Sequence, residues 1–216
     1  MKNKQFLVIG LSRFGSELAA ELYRQGAEVL AVDRDMDAVE AMRGRLTDVM
    51  QADAQDEDVL RQIGVSEFDV AIVSIGSDVQ SSSVITMLLK EMGAKYVIAK
   101  ANNEFHGRML TRLGADKVIY PARDMGQRIA HNLVSDRILD FIELSPDCGI
   151  AELQTPSEWC GKSIRELDIR AKYGVNVIAV RENGKVHVTL DANRPLNEHI
   201  TLVLLGENDR LAKVKP

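Results

Sequence analysis

Cysteine is scarce in this chain, and long apolar runs are missing altogether. Of 216 residues only two are cysteines, Cys148 and Cys160, and neither sits in a CxxC pair. That excludes a disulfide framework, and no His, Cys, Asp or Glu cluster has the spacing of a metal site. The longest apolar stretches, such as Phe6–Gly10 and Thr201–Gly206, have the length of a strand, far below the ~20 residues needed to cross a bilayer. The opening MKNKQFLVIG meets Arg13 too early for a signal-peptide core. Excess positive charge is absent as well. Lys plus Arg number 27 against 32 Asp plus Glu, a net charge of −5, which lacks the basic footprint of a nucleic-acid or anionic-membrane binder. These absences point to a cytoplasmic, reduced protein.

What is present is 45% hydrophobic and 27% charged residues, enough for one large domain or a domain of about 130 residues with a smaller companion. The first 120 or so residues alternate between short apolar runs and amphipathic stretches, the pattern of βαβ units around a parallel sheet. Strands are predicted at Phe6–Gly10, Glu28–Val32, Val49–Asp53, Val70–Ser74, Tyr96–Lys100 and Lys117–Tyr120, with a helix in each of the five intervals. The fold class is α/β, a Rossmann-like doubly wound parallel sheet, followed by a small C-terminal α+β domain. A helix is expected over Asp124–Leu139, with Ile129, Leu133 and Ile138 on one side. Short strands follow at Asp140–Leu144, Gly149–Gln154, Val175–Arg181, Lys185–Leu190 and Ile200–Leu205. Asn183-Gly184 is a hairpin signal, and Ser163-Ile-Arg-Glu166 fits a capping box. The expected domains are residues 1–122 and 140–216, with 123–139 as a connecting helix. No internal repeat or low-complexity linker appears, so coupled domains are expected.

The informative segment is Gly10-Leu-Ser-Arg-Phe-Gly15, directly after a strand and opening a helix, with Asp33 at the end of the next strand. Glycines in such a fingerprint allow a tight turn and let backbone approach a phosphate, which then meets the free N–H groups of a helix start. Ser12 stands where the second glycine of the fingerprint would be. Asp33 suits an unphosphorylated ribose, because a carboxylate accepts from both hydroxyls and repels a 2′-phosphate; it serves ATP, ADP and NAD(H) alike. Ligands of open parallel sheets bind at carboxyl strand ends, which adds Arg34, Asp53, Ala54, Ser74, Ile75, Gly76 and Lys100 to Gly10, Ser12, Arg13, Phe14 and Gly15. Lys100 and Arg13 can neutralise phosphates, although Lys100 also fits a plain solvated strand end.

A catalyst is not visible. The histidines are His106, His131, His187 and His199, scattered and without a paired acid at useful spacing, and there is no Tyr-x-x-x-Lys. His106 reads as structural and His131 as a surface residue. The chain displays a cofactor-type site without catalytic residues, so it is read as a binding protein and not an enzyme. An NAD(H)-sensing regulator and an NAD-dependent oxidoreductase are the two rival readings.

Gly10 to Gly15, Ala31-Val-Asp33, Val73-Ser-Ile-Gly76, Lys100-Ala-Asn102, Gly114-Ala-Asp116 and Tyr120-Pro-Ala-Arg-Asp-Met-Gly126 resemble, in order, the KtrA/TrkA family of RCK-domain regulators of potassium transport. The stretch from Ile164 to Asn176 looks like the C-terminal domain of that family, so the resemblance covers essentially the whole chain. It implies a cytosolic regulatory subunit, peripheral at the inner face of the membrane through an integral-membrane potassium-transporting subunit. It also implies homodimers assembling to an octameric ring whose shape responds to ATP or ADP. By resemblance, Arg13 approaches the terminal phosphate, Asp33 binds ribose, and Lys100 falls on the lysine of a Lys-Ala-x-Asn pattern. Ala122 replaces a glutamate that helps hold an activating cation in some members. Cyclic di-AMP is a second ligand in some members; Ile164, Arg170 and Asn176 match that site, whereas Arg165 departs from its apolar pair.

Overall fold

The computed structural model describes residues 4–76, 78–134, 138–145 and 147–214. By internal contacts the chain divides into two units, residues 1–122 and 123–216.

In the first unit, β1 (Gln5–Ile9), β2 (Glu28–Asp33), β3 (Asp48–Gln51), β4 (Val70–Val73), β5 (Val97–Lys100) and β6 (Lys117–Ile119) form one sheet in the order β3-β2-β1-β4-β5-β6. Every pairing is parallel. Between them run α1 (Arg13–Arg24), α2 (Met36–Met42), α3 (Glu57–Ile63), α4 (Val79–Glu91) and α5 (Glu104–Arg112). Successive strand residues point to opposite faces. Leu7, Ile9, Val32 and Val97 therefore pack with Leu60 of α3, Leu89 of α4 and Leu110 of α5 on one side. Val8, Val29, Ala31 and Ile72 pack with Ala19 of α1 and Met42 of α2 on the other. Both faces are buried, which is why these strands read as unbroken apolar runs and not as alternating ones. This is the doubly wound order, and it reverses direction between β1 and β4.

Four of the five helices begin on an Asx side chain. Asp35, Asp56, Asp78 and Asn103 accept from the backbone N–H of Asp37, Asp58, Ser81 and His106 at the starts of α2 to α5. The exception is α1. Among the described residues its Ser12 makes no capping bond, and its first turn carries no acid.

In the second unit, α6 (Pro121–Val134) precedes an antiparallel sheet in the order β10-β9-β11-β8-β7. Its strands are β7 (Ile138–Ser145), β8 (Cys148–Gln154), β9 (Asn176–Glu182), β10 (Lys185–His187) and β11 (Thr201–Glu207). One face packs Phe141, Leu153, Leu202 and Leu204 against Leu167 of α7 (Ile164–Leu167), Ile169 of α8 (Ile169–Tyr173), and Leu211 of α9 (Asn208–Leu211). Asn183 and Gly184 both have positive φ, at 52° and 76°, as a two-residue hairpin turn requires.

Two expectations are corrected. The helix predicted to reach Leu139, and assigned as the 123–139 connector, is α6 over Pro121–Val134 among the described residues and does not include Ile138 or Leu139. Ile138 and Leu139 belong to β7, where Ile138 pairs with Leu153 of β8 and the register shifts before Asp140; positions 135–137 lie outside the described residues. The strand expected over Lys185–Leu190 stops at His187: its pairing with β9 ends opposite Val180, although β9 itself continues to Asn176, so Val188 to Leu190 leave the edge unpaired. The short helices α8 and α9 were not expected from the sequence, since four or five residues carry too little periodicity to read.

The capping box is present in both halves. Ser163 Oγ accepts from the Glu166 N–H, and Glu166 accepts from the Ser163 N–H at 2.7 Å. These bonds hold the Glu166 carboxyl below the usual carboxylate range. Ser163→Ala is expected to destabilise the second unit by about 1 kcal/mol, read as a lowered chemical-denaturation midpoint against the parent chain; an unchanged midpoint contradicts this.

Candidate functional site

The turn from Gly10 to Gly15 is packed so tightly that neither glycine has room for a side chain. Gly10 has a φ of 97°, and a Cβ there would stand 2.9 Å from Ile75 Cγ1. A Cβ on Gly15 would come within 2.0 Å of the Gly10 carbonyl oxygen. Backbone bonds align the strand ends, with Gly10 N–H donating to Val32 O at 2.8 Å and Ser74 N–H to Ile9 O at 2.7 Å. Asp33 ties the turn to the next unit of the fold. One carboxylate oxygen accepts from Leu11 N–H at 2.6 Å, and the other from Asp35 N–H at 2.9 Å, just before α2.

Around this turn the carboxyl ends of the strands open a cleft of about 420 Å³. Of the residues expected at the site, Gly10, Ser12, Asp33, Arg34, Asp53, Ala54, Ser74, Ile75, Gly76 and Lys100 line it. Arg13, Phe14 and Gly15 do not. Arg13 stands exposed at the first position of α1, and Gly15 is buried beneath the turn. Lys100 lies against Gly76, its Nζ 3.0 Å from where a Cβ would be, and 5.9 Å from the centre of the Phe14 ring. Asn102 holds the adjacent loop by donating from Nδ2 to the Gly76 carbonyl.

Sequence reading missed Leu11, Asp35, Gln55, Asp78 and Ser81, which also line the cleft. Gln55 had a signal, for it follows Asp53 closely and its N–H bonds the Asp53 carboxylate at 2.9 Å. Asp78 had one too, as an Asx residue at a helix start. Hydrogen bonds from Ser81 hold its carboxyl below the ordinary range, with Arg34 adding to the effect.

Electrostatically, the cleft combines an open helix start with Lys100 and Arg34 on its walls and with Arg13 beside it. The helix start and these cations favour an anion, set against the carboxylates of Asp33, Asp35, Asp53 and Asp78 elsewhere on the same walls. Among the described residues no group of three or more His, Cys, Asp or Glu side chains could hold a metal ion, and no helix is long and apolar enough to cross a membrane.

The C-terminal candidates are not gathered in this way. Ile164 lines a smaller cleft of about 140 Å³ with His187, Asp191 and Arg194, whereas Arg170 and Asn176 are exposed and stand outside it.

Residues 6–121 match the TrkA-N domain family, and residues 150–216 the TrkA-C domain family. The chain belongs to the KtrA/TrkA family. It is 39% identical over 203 residues to the Ktr system potassium uptake protein C of Bacillus subtilis, covering 94% of this chain and 92% of that protein. It is 33% identical over 210 residues to the Ktr system potassium uptake protein A of Vibrio alginolyticus, covering 97% and 96%. Among solved structures, the GsuK channel resembles it with a TM-score of 0.70 at 24% identity, over 98% of this chain and 38% of the channel chain. The GsuK channel bound to NAD gives 0.67 at 22%, over 97% and 38%. This likeness carries the fold: the KtrA/TrkA chain spans well under half of the channel.

Behind the cleft, His106 is 1% exposed. Its Nδ1 accepts from Asn102 N–H at 3.4 Å, which leaves the proton on Nε2 to face Ser82 Oγ at 2.9 Å. Burial lowers its pKa from 6.5. The unfolded chain therefore takes up a proton that the folded chain refuses. The stability contributed by neutral His106 is complete above about pH 6.5 and is lost as pH falls below it. Denaturation midpoints between pH 7.5 and 5 are expected to fall more steeply for the parent chain than for His106→Gln, and parallel curves contradict this.

Proposed function

We propose that this chain is a regulatory subunit of a potassium-transport system that binds adenine nucleotides in the cleft at Gly10–Gly15. Residues 1–122 act as the nucleotide domain and residues 140–216 as the C-terminal domain. The observation that carries the reading is the open N-terminus of α1. Its neighbours α2 to α5 use their own Asp or Asn side chain on the first turn, whereas α1 leaves its N–H groups free at the edge of a cleft with a carboxylate on one side and a lysine on the other.

The residues fit the ligand class. Gly10 and Gly15 let the turn close, since a Cβ at the first would collide with Ile75 and a Cβ at the second with the Gly10 carbonyl. Asp33 already accepts two backbone N–H groups and retains lone pairs for ribose hydroxyls. Asp53 and Ala54 extend the wall where adenine would lie. Arg13, exposed at the helix start, is free to meet a terminal phosphate, and Lys100 to meet the phosphates before it. Bound nucleotide supplies no chemistry here; it supplies differential affinity. A ligand moves a two-state assembly only by its preference for one state, and a ~100-fold preference corresponds to ~2.7 kcal/mol.

Membership of the family supports the rest: a cytoplasmic, peripheral subunit seated on an integral-membrane potassium-transporting partner, in homodimers that build an octameric ring. Switching between ATP and ADP shapes is the proposed signal. Ile164, with the exposed Arg170 and Asn176, is assigned to cyclic di-AMP. Ala122 leaves the cation site described for some members without its glutamate, so titration with and without magnesium decides whether a divalent cation acts on the nucleotide state.

Titration calorimetry with ATP, ADP, NADH and cyclic di-AMP, with and without magnesium, tests the whole reading; no heat with any adenine nucleotide overturns it. Arg13→Ala is expected to weaken ATP about tenfold, ~1.4 kcal/mol, and ADP by less than threefold; equal losses remove the role assigned to Arg13. Asp33→Ala is expected to abolish adenine-nucleotide binding, since both the turn and the ribose lose their acceptor, and unchanged affinity refutes the site.

A further inference from the structure

Ser12 and Ser74 make a bridge across the sheet at its switch point. Ser12 follows β1 and Ser74 follows β4, the two strands between which the sheet order reverses. The Ser12 hydroxyl donates to the Ser74 carbonyl at 3.2 Å, and the two hydroxyl oxygens stand 3.2 Å apart. With the Ser12 proton on that carbonyl, the Ser74 hydroxyl is the donor to Ser12 Oγ. Ser74 is fully buried, and its Oγ would stand 2.8 Å from a Cβ on Gly15, so its hydroxyl sits directly beneath the turn. Ser12 is exposed, lines the cleft, and makes no capping bond to α1. The side chain is therefore held across the crevice and is not engaged in starting the helix.

This position matters for what can lie in the cleft. A dinucleotide bound to a doubly wound sheet crosses the switch point, with its pyrophosphate over the turn and its second nucleoside on the far half of the sheet. Glycine at the second fingerprint position leaves that path bare. Here a hydroxymethyl group is pinned over it. Beyond the bridge the wall is formed by Ile75, Gly76 and Lys100, with the Lys100 ammonium laid along Gly76. A cation there attracts phosphate and opposes the positively charged ring of an oxidised nicotinamide dinucleotide.

We infer that the Ser12–Ser74 hydroxyl bridge is a specificity determinant: it closes the switch point to dinucleotides and restricts the cleft to adenosine polyphosphates. The inference rests on the nucleotide reading above and adds which nucleotide class this chain accepts. Ser12→Gly should open the crossing. Ser74→Ala removes the hydroxyl–hydroxyl contact but leaves the Ser12 bond to the carbonyl of residue 74, so it should act in the same direction with a smaller effect.

The test is titration of the full chain, its Ser12→Gly variant and its Ser74→Ala variant with ATP, NAD⁺ and NADH, each preceded by a thermal melt without ligand. The parent chain is expected to prefer ATP, and Ser12→Gly to reduce the ATP-to-NADH preference at least tenfold. If the parent chain prefers NADH, or Ser12→Gly leaves the ratio within twofold, the bridge is not the determinant, although nucleotide binding stands. Should Ser12→Gly fail to fold, Ser74→Ala decides by the same ratio, and no change in it overturns the inference. Absence of binding by the parent chain to all three ligands overturns the nucleotide reading, and the inference with it.

Discussion

The contact between Gly15 and the carbonyl of Gly10 sets the distance between the first helix and the sheet. A Cβ at residue 15 would lie 2.0 Å from that oxygen, well inside any van der Waals contact, so α1 can sit this close only on glycine. From this approach follow the sharpness of the turn, the direction of the helix axis over the strand ends, and the exposure of its first N–H groups. Asp33 secures the arrangement from the second strand through Leu11 N–H at 2.6 Å, and Ser74 secures it from the fourth through its bonds to Ile9 and Ser12. A helix dipole aimed into a cleft is useful only if the turn before it does not move, and three strands hold this one.

The local chemistry of the helix starts divides structure from binding. A side-chain acceptor on the first turn satisfies orphan N–H groups and lowers the free energy of the helix, typically by about 1 kcal/mol. Four helices of the parallel unit take that stabilisation from Asp35, Asp56, Asp78 and Asn103. The first helix forgoes it, and its start is left uncapped at the edge of the cleft, where the phosphates are proposed to bind. Ser12, which could have capped α1, is turned instead toward Ser74. Function here is visible as a local stabilisation left unused. The buried His106 works in the opposite sense: its two ring nitrogens are both engaged, toward Asn102 and Ser82, and it serves the frame around the cleft.

Membership of the KtrA/TrkA family and the geometry of the cleft constrain different parts of the account. The first covers the whole chain and speaks to potassium transport; the second concerns a single cradle and speaks to the ligand. They meet at Arg13 and Lys100, the cations beside and within the cleft, where a phosphate count could be converted into a change of shape.

Much of the first unit was legible in the sequence because a parallel sheet buried on both faces leaves unbroken apolar runs, and because Gly10, Gly15 and Asp33 have few other uses at that spacing. The capping box at Ser163 and the hairpin at Asn183-Gly184 were legible for the same reason: each rests on neighbours in the chain. Tertiary structure decided the rest. It placed Ile138 and Leu139 in β7, since pairing of Ile138 with Leu153 and of Asp140 with Glu152 on β8 outweighs a helical period that one apolar residue more or less does not define. It brought Asp78 and Ser81 to the cleft from a helix start some 60 residues beyond the turn. It also aimed the Ser12 hydroxyl at Ser74. The sequence determines which residues are small, charged or capped, but only the sheet order, which sets β1 beside β4, determines that two serines 62 positions apart share a bond.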